Sequence, residues 1–312
     1  VLKLSGEYGV DLSLIQGTGA GGRVTRKDVL AFAKEGQVGH TIQTAQVPPI
    51  QQPAREISIP EAHVEQQNWS PSYNQSIQAR SDDQMIPAST VRKTIASRMI
   101  QSKQEIPHAW TMIECDVTNL VNYREKIKDD FKQKEGINLT YLPFFIKAVV
   151  EAIKEFPIIN SQWSDGQIIM KKRIHISLAV ATEEALYVPV IKDADQRSIL
   201  GLAKVMDDLV TRTREGKLTV EDMAGGTFTV NNTGSFGSIQ SAPIINYPQA
   251  AILSVEAIVK RPVVIHNMIA IRDMVNLCLS LDHRVLDGLV CGRFLQSIKN
   301  RIESYGLDTN MY

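Results

Sequence analysis

Near the carboxyl end of the chain, the apolar run Met274–Leu281 leads into Asp282-His283-Arg284-Val285-Leu286-Asp287-Gly288. The run alternates apolar residues with smaller or polar ones, which predicts a strand that ends beside His283. Asp287 is placed to cap a following helix by accepting a backbone hydrogen bond. The apolar positions of that helix are Leu289, Phe294, Leu295, Ile298 and Ile302. The stretch therefore predicts a strand-turn-helix corner with a histidine at the turn.

Three interpretations of this corner follow from the residues alone. A histidine at such a turn is able to act as a base near neutral pH, and a nearby carboxylate steadies the charged imidazole. Alternatively, Asp287 is only a cap and His283 only a turn residue. A metal site is the third: Asp282, His283 and Asp287 offer ligand atoms, but no second histidine or paired cysteine completes a known ligand spacing. We therefore predict no metal.

The composition narrows the class of protein. With 312 residues, 43% hydrophobic and 22% charged, the chain is able to bury one sizeable core and a small extra module. Its 34 basic and 34 acidic residues balance, so the total charge favours neither nucleic acid nor an anionic membrane as partner. We find no membrane-spanning apolar run and no signal peptide, which favours a cytoplasmic location. The cysteines Cys115, Cys278 and Cys291 are predicted to be buried free thiols in a reducing compartment.

Three regions differ in composition: 1–36, 37–85 and 86–312. The first predicts a small all-helical domain, with a short helix through Lys3 to Tyr8 and a second from Lys27 to about Lys34. The second is rich in Gln, Pro and Ser and predicts a flexible, disordered linker. A linker of this kind lets a tethered module move over a long distance, so that the module is able to visit several active sites.

A glycine-rich loop separates the two helices of the first region. Its residues, Gly17-Thr18-Gly19-Ala20-Gly21-Gly22, satisfy the Gly-x-Gly-x-x-Gly pattern of dinucleotide-binding folds. We reject that interpretation because no strand precedes the loop and no βαβ unit fits before the linker. A tight loop that uses the freedom of glycine is favoured instead. Thr25, followed three residues later by Asp28, predicts the start of the second helix.

The third region mixes amphipathic helices with apolar strands, which predicts a two-layer α/β domain. The predicted helix faces are Leu120, Tyr123, Ile127 and Phe131; Ile146, Val149, Val150 and Ile153; and Ile199, Leu202, Val205 and Leu209. The predicted strands are Ile174 to Thr182, Thr227 to Asn231, Ala250 to Val259 and Met274 to Leu281. We interpret the apolar faces as core packing.

The corner motif, His-x-x-x-Asp-Gly, resembles the active-site signature of the dihydrolipoamide acyltransferases and of the related chloramphenicol acetyltransferases. Four more stretches follow the family's order: Arg92-Lys93-Thr94-Ile95-Ala96, Ile106-Pro107-His108, Val188-Pro189-Val190-Ile191 and Gly226-Thr227-Phe228-Thr229-Val230. The resemblance covers nearly the whole chain and implies an α/β two-layer sandwich of the chloramphenicol acetyltransferase type. Two segments, Asn231–Gly237 and Asn276–Leu281, look most like the branched-chain members from Gram-positive bacteria.

The resemblance implies a thioester exchange between a dihydrolipoyl thiol and coenzyme A. It makes His283 the base that removes the thiol proton, and Asp287 a group that holds the site in shape, with an arginine as its expected partner. The family's oxyanion donor is a Ser or Thr, and that position is Asn231 here. An amide N–H is able to face an oxyanion. Other interpretations stay open: Thr229 or Thr233 as the donor, and Asn231 as a turn residue.

Several binding partners are also implied by the resemblance. Arg92 and Lys93 are candidates for the phosphates of coenzyme A, or merely open a helix. Residues 1–36 resemble the peripheral subunit-binding domain, which docks dihydrolipoyl dehydrogenase or the 2-oxo acid decarboxylase subunit. The basic cluster there is Arg23, Arg26 and Lys27, with Arg23 as the expected anchor to acidic groups of the partner. The alternative for this cluster is a solvated surface.

The family's catalytic domains form trimers with the active site between neighbouring subunits, and the trimers build a large hollow core. The family's lipoyl domain has no counterpart before Val1, so we place no lipoyl attachment site in this sequence. Two rival functions remain: a non-catalytic scaffold that docks the dehydrogenase, and an acyltransferase that acts on a free small acceptor. Acetyl- and succinyl-specific members share the corner, so the acyl group stays open.

Overall fold

The computed structural model describes residues 1, 15, 17–19, 22–35, 82–182 and 185–312. It divides into two compact units, Val1–Ile77 and Gln78–Tyr312. The predicted first helix lies outside the described residues, and so does nearly all of the predicted linker.

In the first unit, helix α1 spans Arg26–Glu35. The Asp28 carboxylate accepts hydrogen bonds from the backbone N–H of Thr25 at 2.7 Å and from the N–H and hydroxyl of Thr18 at 3.1 and 2.7 Å. The bond from Thr25 is the main reason that the pKa of this carboxyl lies well below its usual range. The predicted helix start is confirmed. Only glycine fits at position 17 of the glycine-rich loop, because a Cβ there would lie 2.4 Å from the carbonyl carbon of Arg23.

The second unit contains five α-helices and eleven strands within its described residues. The helices are α2 Thr90–Glu105, α3 Thr118–Glu135, α4 Leu142–Glu155, α5 Ile199–Arg214 and α6 Gly288–Ser304. The strands are β1 His108–Asp116, β2 Ser161–Ser164, β3 Gln167–Met170, β4 Ile176–Leu178, β5 Val180–Ala181, β6 Leu186–Tyr187, β7 Val190–Ile191, β8 Phe228–Asn232, β9 Ala251–Val255, β10 Val259–Ile265 and β11 Met268–Asp282.

Seven of the described strands form one sheet in the order β1-β11-β9-β8-β4-β7, with β10 paired to β11 as a hairpin. Strand β8 runs parallel to β4 and β9, and the other pairs are antiparallel. One face of this sheet is covered by helices α3 to α6, whose apolar side chains share a single core with it. Helix α4 buries nine of its fourteen residues, and its charged residues Lys147, Glu151, Lys154 and Glu155 recur at helical spacing on the remaining side. The predicted two-layer α/β architecture is confirmed.

The predicted helix faces are also confirmed, since their members pack in or against this core. The strand predictions are right in place and partly wrong in extent. The stretch from Ala250 to Val259 divides, because β9 ends at Val255 and β10 begins only at Val259. Ile174 to Thr182 is likewise two short strands, and β11 begins six residues before Met274. Strand β1 was not predicted at all.

The opposite face of the sheet carries a different set of residues. A small apolar cluster of Ile106, Ile245 and Ile252 covers part of it. On the edge strand β1, Trp110 and Met112 are exposed. The β10-β11 hairpin exposes Val264, Met268, Ile269 and Ile271. Exposed apolar groups in such numbers are typical of an interaction surface.

Of the helices in the described ranges, none combines the length and the apolar character needed to cross a membrane.

Candidate active site

His283 lies immediately after β11, where the sheet turns toward α6. Its backbone N–H donates to the carbonyl of Pro107 at 3.1 Å, and its side chain is exposed. Asp287 occupies the N-cap of α6, where one carboxylate oxygen accepts from the N–H groups of Leu289 and Val290 at 2.9 and 3.0 Å. The predicted corner is confirmed, including its cap. The corner therefore leaves the imidazole exposed to solvent.

An ion pair stabilises the backbone of the corner. The buried Asp282 carboxylate accepts two bonds from the Arg284 guanidinium, at 2.8 Å from one terminal nitrogen and 3.0 Å from Nε, and one from the Arg284 backbone N–H at 3.0 Å. The guanidinium also lies over the ring of Trp163, 5.5 Å from its centroid. Paired bonds of this kind define geometry as well as charge. The residues on both sides of His283 are therefore tied together.

We expect Arg284→Ala to lower the free energy of unfolding by about 3 kcal/mol, because it leaves the buried Asp282 carboxylate without its cation. Urea unfolding at one protein concentration measures the change. Arg301→Ala is the matched control, since Arg301 pairs with Glu155 at an exposed position and such pairs contribute less than about 1 kcal/mol. Equal losses in the two variants would contradict the role given to the buried pair.

His108 lies beside the corner, paired with Asp282 at the start of β1. Its Nε2 accepts from the backbone N–H of Ile245 at 3.1 Å, and its Nδ1 lies 2.9 Å from the carbonyl of Ile106. These bonds require a neutral ring that carries its proton on Nδ1. His108 is therefore a structural histidine that joins the start of β1 to the segment before β9.

Asn231 lies near the end of β8, on the sheet face away from the helices. Its neighbour on β9 is Ser254, and the neighbour of Ser254 on β11 is Cys278. The side chain of Asn231 is half-buried. Both alternative donors are occupied: Thr229 donates to the side-chain oxygen of Gln249 at 2.5 Å, and Thr233 donates to the carboxylate of Glu256 at 2.8 Å. Of the three candidates, Asn231 is left as the accessible donor.

The loop after Asn231 is clamped by Glu256. This buried carboxylate accepts from Thr233 and from the Ser241 hydroxyl at 2.5 Å. Gly234 is required there, because a Cβ would lie 2.3 Å from the backbone oxygen of Glu256. A cavity of about 260 Å³ opens beside the loop, and its walls include Tyr141, Phe145, Asn232, Ser235 and Glu256. Asn232 lines this cavity and Asn231 does not, so the open volume lies on the helix side of the loop.

His283 and Asn231 are far apart within one chain. Asn231 pairs with Ser254 of β9, which pairs with Cys278 of β11, so Asn231 and Cys278 are in register across the sheet. His283 follows Cys278 by five residues in the direction in which β11 runs. At about 3.4 Å per residue, this places the two backbones roughly 17 Å apart along the strand. The corner therefore brings together His283 and Asp287, and does not bring Asn231 to them.

The cysteines do not supply a nucleophile to this arrangement. Cys115, Cys278 and Cys291 are all buried and unpaired, which confirms the prediction of buried free thiols. Burial raises the pKa of Cys115 and of Cys291 to about 12, and it raises that of Cys278 as well. Since the thiolate is the reactive form, these groups stay unreactive at neutral pH.

The predicted cationic residues lie at helix starts and are exposed. Arg92 and Lys93 belong to the first turn of α2, where the Ser89 hydroxyl accepts from the Arg92 N–H at 3.2 Å. Arg26 and Lys27 begin α1, and Arg23 precedes it. The two groups belong to different units, so they are separate candidate surfaces. Their ligand roles stay predictions.

An arginine was the expected partner of Asp287, whereas Arg284 pairs with Asp282 and Asp287 accepts from backbone N–H groups. Opposite charges two residues apart, at Asp282 and Arg284, were the available signal for this ion pair. Sequence reasoning also missed the stacking on Trp163 and the structural role of His108. In the part of the chain that the structure describes, no group of three or more His, Cys, Asp or Glu residues is arranged to hold a metal ion.

Known families match both units. The family described as 2-oxoacid dehydrogenases acyltransferase (catalytic domain) matches residues 80–307, and the E3-binding domain matches residues 1–30. The lipoamide acyltransferase component of the branched-chain alpha-keto acid dehydrogenase complex of Bacillus subtilis is 57% identical over 317 aligned residues, which cover 100% of this chain and 72% of that protein.

Two solved structures resemble the second unit. A probable dihydrolipoamide acetyltransferase from Listeria monocytogenes is 58% identical, with a TM-score of 0.73 over 75% of this chain and 100% of that one. The dihydrolipoamide acetyltransferase of Azotobacter vinelandii is 34% identical, with a TM-score of 0.69 over 72% of this chain and 92% of that one. In the Azotobacter protein, the catalytic roles of one serine, one histidine and one asparagine were investigated by crystallography and enzymology.

Proposed function

The chain belongs to the 2-oxoacid dehydrogenase acyltransferase family and carries its catalytic domain and an E3-binding domain; from this we propose that it transfers a branched-chain acyl group between a dihydrolipoyl thiol and coenzyme A. The family resemblance predicted from the sequence is confirmed. The branched-chain assignment rests on the identity to the Bacillus protein, which is far higher than the 35% shared with the succinyltransferase of Escherichia coli K12.

One observation carries the assignment of site residues. The serine, histidine and asparagine investigated in the Azotobacter enzyme are separated along its chain by the same numbers of residues as Asn231, His283 and Asp287 here. We propose His283 as the base, Asn231 as the oxyanion donor and Asp287 as the group that holds the corner by capping α6. The aspartate does not need to move a proton for this, since both of its bonds are to backbone N–H groups.

The proposed reaction is a thioester exchange with a tetrahedral intermediate. His283 takes the proton of the coenzyme A thiol as its sulfur attacks the acyl carbonyl of the dihydrolipoyl thioester. The carbonyl becomes an oxyanion, which accepts a hydrogen bond from the Asn231 amide. Collapse breaks the bond to the dihydrolipoyl sulfur, which leaves with the proton returned by His283. The reverse direction uses the same groups.

We propose that two neighbouring subunits form each active site. The separation of roughly 17 Å between His283 and Asn231 along the strand is too long for both to contact one carbonyl within one chain. The exposed Trp110, Met112 and the apolar β10-β11 hairpin support an assembly, because these surfaces favour contact with another subunit. A closed homotrimer that builds a larger core fits both features.

The cavity lined by Tyr141 and Asn232, on the helix side of the sheet, is a proposed site for a part of coenzyme A away from the thiol. Its wall residue Tyr141 lies under the guanidinium of Arg124, 4.9 Å from the ring centroid. This places near the cavity a cation that is paired with Glu125 and for which phosphate groups of a bound nucleotide would compete. Arg92 and Lys93 remain a second proposal for the same phosphates.

We propose that the E3-binding domain docks dihydrolipoyl dehydrogenase, with a decarboxylase subunit as the alternative partner. The exposed Arg23, Arg26 and Lys27 support this, since a local basic surface favours acidic groups of a partner. The lipoyl group would arrive on another domain or molecule. A cytoplasmic location stays a prediction.

The test is acyl transfer from isobutyryl-, isovaleryl-, acetyl- and succinyl-coenzyme A to free dihydrolipoamide by the assembled protein. We expect the branched acyl groups to give kcat/KM values at least about tenfold above acetyl, because each methylene that fills an apolar pocket contributes about 1 to 3 kcal/mol. A preference for acetyl or succinyl would replace the branched-chain assignment. Transfer of none of the four would favour the scaffold function.

Two features argue against the rival functions. A scaffold has no need of an exposed base, whereas the corner presents His283 to solvent on a backbone tied by a buried ion pair. An enzyme acting on a free small acceptor has no need of a docking domain, whereas residues 1–30 match one.

A further inference from the structure

Ser254 is a buried hydroxyl without a partner. It lies on β9 with no exposed surface, and its Oγ has no hydrogen-bond partner among the described residues. Two other buried hydroxyls of this unit are bonded, Ser102 to the Ile245 carbonyl and Thr213 to the Leu209 carbonyl. A buried unpaired hydroxyl costs stability, so its presence calls for an explanation.

Its position is next to the proposed oxyanion donor. Ser254 and Asn231 are direct partners in the parallel pairing of β9 with β8. Paired residues of neighbouring strands share a face, and the strands are about 4.8 Å apart. The shared face is the one away from the helices, because the alternate residues Val230, Leu253 and Val255 lie in the core. The hydroxyl therefore lies beside the Asn231 amide.

An asparagine donor has an orientation problem that a serine donor lacks. Its amide has an oxygen end and a nitrogen end of nearly the same shape, and only the nitrogen end is able to donate to an oxyanion. A nearby donor that bonds the amide oxygen selects the productive orientation. Thr229 and Thr233 are already bonded elsewhere. The Ser254 O–H is unpaired and free to rotate.

We infer that Ser254 is a positioning residue, which donates a hydrogen bond to the side-chain oxygen of Asn231 and so directs the amide nitrogen toward the acyl oxygen. The inference rests on the proposed role of Asn231. The bond forms as the acyl substrate binds, in keeping with catalytic hydrogen bonds that tighten only in the substrate complex. Ser254 itself does not touch the substrate, because it is fully buried.

The first test is Ser254→Ala in the assembled full-length chain, with isobutyryl transfer to dihydrolipoamide as the assay. We expect kcat to fall about tenfold with KM unchanged, a size typical of coupling between contacting residues. The melting temperature should stay the same or rise, because the variant removes an unsatisfied buried hydroxyl. Ser280→Ala is the matched control. Ser280 is also buried, and it lies on β11 on the sheet face that carries Ser254. The kcat of this variant should change less than about twofold.

The second test separates positioning from structure. In an Asn231→Ser background the donor is a hydroxyl with no amide to orient, so Ser254→Ala should change kcat less than about twofold. The same tenfold loss in both backgrounds, or a lower melting temperature in Ser254→Ala, would overturn the inference. Asn231→Ala tests the premise on its own: a loss of about a hundredfold in kcat supports the donor role, and an unchanged kcat removes that role and this inference together. A hundredfold loss in Asn231→Ala with parental kcat in Ser254→Ala would overturn the inference alone.

Discussion

Replacing His283 with alanine is expected to lower kcat for acyl transfer about a thousandfold, in the middle of the range of general-base contributions. The thiol of coenzyme A is only partly ionised at neutral pH, and the variant has no group in the corner to take its proton. KM should change little, because the imidazole acts on the proton and does not hold the remainder of the substrate. Steady-state kinetics of the assembled protein with isobutyryl-coenzyme A measure both constants.

The His283→Ala substitution should leave the stability of the fold unchanged. The side chain of His283 is exposed, and the corner is held by a backbone bond to Pro107 and by the Asp282 pair, both of which remain. The melting temperature is therefore expected to stay within about 2 °C of the parent, as for other exposed positions.

His266→Asn is the matched control for the His283 variant. His266 is an exposed histidine in the turn of the β10-β11 hairpin, with φ at 48°, and asparagine tolerates that conformation. It should keep parental kcat. A His283→Ala protein with at least a tenth of the parental kcat would remove the base assignment.

The corner was predictable from the sequence because its interactions are local. A strand pattern, a capping carboxylate and a helix pattern follow one another within Met274–Ile302, and each is decided by neighbours along the chain. The amphipathic helices were predictable for the same reason. One side of each faces the core, so the helical period is visible in the residue pattern.

The remaining parts depend on contacts between distant residues. Strand β1 was missed because it is an edge strand whose exposed face carries Trp110 and Met112, so apolar residues do not mark its buried side. The hydroxyls of Thr229 and Thr233 donate hydrogen bonds to Gln249 and Glu256, which lie 20 and 23 residues further along the chain. The separation of Asn231 from His283 follows from strand order, which no local pattern encodes.

Because Asn231 and His283 lie far apart within one chain, the second large effect is expected in assemblies that contain two different variants. His283→Ala and Asn231→Ala subunits should each be nearly inactive alone, and together should recover about a quarter of the parental activity in a closed ring. A site shared between neighbours needs one subunit with intact His283 and the next with intact Asn231. When the two variants assemble at random in equal amounts, one neighbouring pair in four meets this condition.

Co-expression of the two variants with different affinity tags, followed by purification through both tags, gives the mixed assemblies directly; for single trimers this selection raises the expected recovery to about one third. The matched control is a mixture of His283→Ala with His283→Gln, which should recover nothing because every corner lacks its base. A mixture of the Asn231 and His283 variants no more active than the two variants assayed separately would mean that each active site lies within one chain. Recovery would mean instead that His283 of one subunit and Asn231 of its neighbour act at the same site, although roughly 17 Å along the strand separates the two residues within one chain. Contact between subunits would then be a condition for catalysis.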